Sequence, residues 1–111
     1  MEKERLLPVL KAILLLLSQN KYAALAELDY EQNMQPDYIE TAIKEYGDKL
    51  TIPSDELIFQ QMEVFETQKP NRFYVDLPIW MDDERSDLTL SVVIIQLEAD
   101  LVFTLKDIHI L

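Results

Sequence analysis

A chain of 111 residues, 49% of them hydrophobic, has material for one real core and no room for a second domain, so residues 1–111 read as a single unit. Twenty-one acids against ten scattered bases give a net charge of −11, which excludes the clustered lysines and arginines that direct nucleic-acid binding needs. The absence of cysteine rules out disulfides and thiolate metal sites and fits a reducing, cytoplasmic setting.

The first element expected is a helix from Arg5 to Leu17, apolar on nearly every side and therefore buried between other elements. Pro8 falls in its first turn, where a missing N–H costs little. Lys11 breaks the apolar run, two acids precede it, and no small-residue cleavage site follows, so it does not read as a secretion signal. A bilayer span takes about 20 apolar residues, so no membrane fate is expected either. A short second helix follows from Tyr22 to Leu28, with Asn20 as its candidate N-cap.

The third helix is the clearest. Pro36 opens it, Asp37 and Glu40 suit its positive end, and Gly47, the only glycine, ends it. Ile39, Ala42, Ile43 and Tyr46 form one apolar stripe at helical spacing. Asp48 to Glu56, with Pro53 inside, reads as a loop. Leu57 to Thr67 is ambiguous, its end from Met62 leaning towards a strand. Lys69-Pro70-Asn71 marks a turn.

Phe73, Val75 and Leu77 then alternate with Tyr74 and Asp76 in a half-buried strand, whose far end Pro78 demotes to an edge or a bend. After the charged connector Asp82-Asp83-Glu84-Arg85, a long strand places Leu88, Leu90, Val92 and Ile94 on one face. Its other face passes from Thr89 and Ser91 to Val93 and Ile95, which implies that the later half is covered on both sides. Glu98-Ala99-Asp100 turns into a last strand that carries Leu101, Phe103, Leu105, Ile108 and Ile110. Helices first and strands afterwards indicate an α+β fold, with two to three N-terminal helices on one face of a C-terminal antiparallel sheet of three to four strands.

Asp82, Asp83, Glu84 and Asp87 are four carboxylates within six residues. They form a solvated hairpin connector, an acidic contact surface for a basic partner, or a calcium site. The spacing disfavours the last, because the glycine and alternation of a calcium loop are missing and Arg85 interrupts the acids. Trp80, just before them, is either an anchor for the sheet edge or a binding hot spot. His109, the only histidine, has no identifiable nucleophile, and Asp107 is not expected to pair with it, since adjacent strand residues point to opposite faces. Tyr22, Tyr30, Tyr38 and Tyr46 flank the helices, either as a rim of the core or as interface tyrosines, which look the same in sequence. Eleven acids between Glu27 and Glu66 face only Lys44 and Lys49, a surplus spread over helices and loops. No catalytic residue, metal or cofactor is assigned.

Asp76-Leu77-Pro78-Ile79-Trp80, the acidic turn, Arg85-Ser86-Asp87-Leu88-Thr89-Leu90 and the terminal Asp107-Ile108-His109-Ile110-Leu111 resemble a bacterial domain family of unknown function. Glu45-Tyr46-Gly47 and the Leu50–Pro53 loop extend the resemblance. That family's pattern has a glycine before the arginine, where Glu84 stands here. By analogy of size, charge and missing catalytic groups, the domain also resembles immunity proteins of contact-dependent growth inhibition systems, which bind and neutralise a toxin domain. The analogy implies a basic toxin domain, such as a nuclease, as partner, with Asp82, Asp83, Glu84, Asp87 and Trp80 as contacts and no enzymatic activity. Two readings compete with it. One is a bacterial adaptor or housekeeping domain with no toxin partner, in which Arg85, Ser86, Asp87 and His109 form a small polar site. The other is an enzyme using His109.

Overall fold

A computed structural model of the chain describes residues 2–47 and 49–110; the expected start of the loop at Asp48 and the end of the terminal motif at Leu111 lie outside them. Among the described residues the order is α1 (Lys3–Ser18), α2 (Tyr22–Leu28), α3 (Pro36–Tyr46), β1 (Leu50–Thr51), α4 (Asp55–Gln61), β2 (Glu63–Glu66), β3 (Arg72–Met81), β4 (Glu84–Leu97) and β5 (Asp100–Ile110). This is the α+β arrangement the sequence indicates, enlarged by one helix, α4, and one two-residue strand, β1, while β2 falls where the sequence leans towards a strand. Both β1 and the start of α4 arise where a loop was expected. Ser54 explains the helix: its hydroxyl accepts the Leu57 N–H at 3.3 Å, and Asp55 and Glu56 follow in the first turn.

Leu6, Leu10, Ile13, Leu14 and Leu17 of α1 are buried, each stabilising the fold by roughly 1.5–3 kcal/mol of transfer free energy. They form one stripe, and Lys11, Ala12 and Leu15 lie exposed on the other side. The helix is thus amphipathic instead of enclosed. It also begins at Lys3, which moves Pro8 beyond the first turn and removes one interior hydrogen bond. Asn20 does not cap α2: Lys21 holds that position without a side-chain cap, and the Asn20 amide oxygen accepts the Tyr22 hydroxyl at 2.8 Å.

All strand pairings are antiparallel. The sheet runs β1-β3-β4-β5, and β2 joins the same side of β3 as β1, further along the strand. On that side β2 covers Phe73 to Asp76 and β1 covers Trp80 and Met81. Pro78 falls in the gap between them, beside a bulge, so β3 runs on to Met81 instead of ending in a bend. Val75, Leu77, Leu90, Val92, Ile94 and Leu105 join the helices in the core.

Alternation sends Tyr74, Trp80, Val93, Ile95, Thr104 and His109 to the second face. There Val93 and Ile95 are buried, as the switch to apolar residues implies. The connection between α2 and α3 supplies part of the cover. Its Tyr30 N–H donates to the Phe103 carbonyl on the edge of β5 at 2.8 Å. Buried Asp29 accepts the N–H groups of Glu31 and Asn33 and the Thr104 hydroxyl. Glu31 then reaches across β4, pairing with Arg72 of β3 at 3.1 Å and Lys106 of β5 at 3.5 Å.

Candidate functional site

Met81 and Glu84 pair across a two-residue turn in which Asp82 and Asp83 have φ of 51° and 63°. That is the twist a tight hairpin favours, and aspartate tolerates it better than most side chains. The Asp82 N–H donates to the Lys49 carbonyl and the Asp83 N–H to the Thr51 hydroxyl, both at 2.9 Å. The connector is therefore a hairpin whose turn is braced from β1, and Asp82, Asp83 and Glu84 are all exposed on it. Glu84 sits in the strand ladder, so no glycine is needed at that position. Among the described residues no group of three or more His, Asp or Glu side chains is placed to hold a metal ion.

Asp87 is separated from the other three acids by an irregularity in the strand. Between Arg85, opposite Trp80, and Thr89, opposite Pro78, β4 carries extra residues. Ser86 bridges this irregularity: its hydroxyl donates to the Ile79 carbonyl at 2.6 Å and accepts the Leu88 N–H at 3.1 Å. The displaced Asp87 N–H donates to the Tyr46 hydroxyl of α3 at 3.0 Å. Gly47, next to Tyr46, ends the helix as the sequence suggests, with an extended backbone at φ −162°. Its value is close approach, because a Cβ there would stand 3.1 Å from the Met81 sulfur. Trp80 is half-buried, and its indole N–H donates to Gln61 at 2.9 Å. One end of the ring is thus tied to α4.

Beside this junction, α3 and the end of β5 enclose an open groove of about 400 Å³, with Tyr38, Glu45, Tyr46, Leu88, Ile108 and His109 among its lining. The Asp107 carboxylate accepts the Tyr38 hydroxyl at 3.3 Å and approaches the His109 Nδ1 to 3.3 Å. The expectation that Asp107 and His109 diverge fails because they stand two residues apart, and period-2 alternation puts both on one face. The contact is an approach without hydrogen-bond alignment, and the Nδ1 atom is buried without a partner. Partial burial, then the Asp107 charge, raise the pKa of the Tyr38 hydroxyl, so it stays a donor. Acid–base catalysis requires a reacting group within hydrogen-bond reach of the acid or base. The Ser86 and Ser91 hydroxyls are committed elsewhere, to the Ile79 carbonyl and the Asp76 carboxylate.

A family described as a domain of unknown function, DUF7668, matches residues 14–111. The chain belongs to this family. Comparison with the curated proteins and with the solved structures gives no significant match. In this DUF7668 domain the segments Glu45-Tyr46-Gly47, Arg85 to Leu90 and Asp107 to Ile110, far apart in sequence, meet at one end of the sheet: Tyr46 bonds Asp87, and Leu88 and Thr89 pair with Ile110 and His109. Arg85, Ser86, Asp87 and His109 do not make one polar site there, since Ser86 turns into the ladder and, among the described residues, no ion pair joins Arg85 to the others. Sequence reasoning missed the pairing of Tyr38 and Asp107 and the groove beside it. The i, i+2 spacing of Asp107 and His109 was the available signal.

Proposed function

We propose that this DUF7668 domain is an immunity protein: it binds a basic toxin domain, of the kind deployed in contact-dependent growth inhibition, and neutralises it without catalysing a reaction. The observation that carries the reading is the braced hairpin, which holds three consecutive exposed carboxylates on a protein of net charge −11. Charges held this way raise the rate of encounter with a basic surface. Trp80 lies at the base of the same hairpin, where an aromatic ring that is already partly ordered can anchor a partner at low entropic cost. Asp87, on the α3 side, extends the acidic contact.

The test pairs the domain with the toxin domain encoded directly upstream of it. Stopped-flow association should slow roughly ten-fold on Asp82→Lys, Asp83→Lys and Glu84→Lys together, with a shallower dependence on salt. An unchanged rate removes the hairpin from the interface. Failure of the intact domain to inhibit that toxin overturns the immunity reading itself.

A further inference from the structure

The groove between α3 and the end of β5 has walls, a floor and a charge of its own, none of which the hairpin uses. Tyr38 and Tyr46 stand on α3, about two turns apart, and Leu88 and Ile108 supply apolar surface between the two elements. Glu45 is exposed in the lining and makes no ion pair among the described residues. The Asp107 carboxylate adds a second negative charge behind Tyr38 and His109. Among the described residues, no lysine or arginine lines the groove. The nearest cations on the same elements are occupied, Lys44 by Glu40 at 2.9 Å and Lys106 by Glu31 at 3.5 Å.

We infer that this groove is a binding site for an arginine side chain presented by a basic protein partner, a proposal that rests on the reading of the domain as a binder of such a protein. The chemistry selects each part of that ligand. An apolar floor accepts the methylene stem, which long cationic side chains bury while their charged ends stay at the rim. Tyrosine rings attract a cation over their faces, and a planar, weakly hydrated guanidinium stacks on them better than an ammonium does. Glu45, in the lining, neutralises its charge, and the Asp107 carboxylate beyond Tyr38 adds to the negative field. A second copy of the chain is a poor occupant, because two molecules of charge −11 repel. Phosphate-bearing ligands are opposed by the same field.

The test is a titration of the ¹⁵N-labelled full chain with a blocked tripeptide centred on arginine, and in parallel with its citrulline counterpart, which keeps the shape and loses the charge. The arginine peptide should produce saturable shifts at Glu45, Tyr46, Ile108, His109 and Ile110, and the citrulline peptide should not. Glu45→Lys, at an exposed helix position, should keep the folded spectrum and weaken binding roughly ten-fold. Shifts confined to Asp82–Glu84, equal responses to the two peptides, or unchanged affinity in Glu45→Lys would each overturn the groove as the site. Shifts at the hairpin alone would leave the basic-partner reading standing. Groove binding by a domain that inhibits no toxin would overturn only the immunity reading.

Discussion

Ser86 is the residue on which the β3–β4 pairing turns. Its hydroxyl takes the place of ladder bonds that the irregularity in β4 removes, donating to Ile79 and accepting from Leu88 in a half-buried setting. Ser86→Ala leaves the Ile79 carbonyl and the Leu88 N–H without that partner, and a buried polar group so stranded costs about 1–3 kcal/mol. Urea unfolding should show a loss of that size. A loss below about 0.5 kcal/mol would mean that water or a straightened strand replaces the hydroxyl. The Arg-Ser-Asp-Leu-Thr-Leu segment, readable as a strand in the sequence, thus contains a departure from regular pairing that alternation alone does not reveal. Hydrophobic pattern specifies which face a side chain takes, whereas a bulge is decided by which backbone groups find partners across the sheet.

Among the elements, the connection from α2 to α3 has the largest role that its sequence did not announce. It lies on the edge of β5 and sends Glu31 over β4 to Arg72 and Lys106. The Arg72 hydrogen bond first, and then the charges of Arg72 and Lys106, hold the Glu31 carboxyl below its ordinary value of 4.5. A carboxyl whose pKa is lower in the folded state adds stability above its unfolded value and loses it as pH falls through the folded one. Stability should therefore decline on acidification below pH 4.5. Glu31→Gln should flatten part of that decline when unfolding is followed by calorimetry between about pH 6 and about pH 3. An identical pH profile in the variant would show that the bridge forms equally in the unfolded chain or carries no net energy. The pair is exposed, so its contribution is small and sensitive to salt.

At the scale of the whole molecule, 21 acids against ten bases act on the fold as well as on partners. Like charges on a compact surface repel, and salt screens them over a Debye length that shrinks from about 30 Å at 0.01 M to about 10 Å at 0.1 M. The melting temperature should therefore rise by several degrees between those salt concentrations, by scanning calorimetry, while association with a basic partner weakens. A melting temperature that falls with salt would indicate that the ion pairs Lys11–Asp55, Lys44–Glu40 and Arg72–Glu31 outweigh the repulsion.

Taken alone, the sequence determined the α+β class, the helix from Pro36 and the alternating cores of β3, β4 and β5, because each is encoded in local periodicity, and it offered a hairpin connector at Asp82–Arg85 as one of three readings. It left β1 and α4 unread: a two-residue strand has no periodicity, and Ser54 signals a cap only when the helix behind it is recognised. Only the tertiary structure decided that the Asp87 N–H bonds Tyr46, that Asp107 meets Tyr38 and His109, and that a groove opens between α3 and β5. Those outcomes depend on strand register and on the docking of one element against another, and contacts across tens of residues leave no local pattern in the chain.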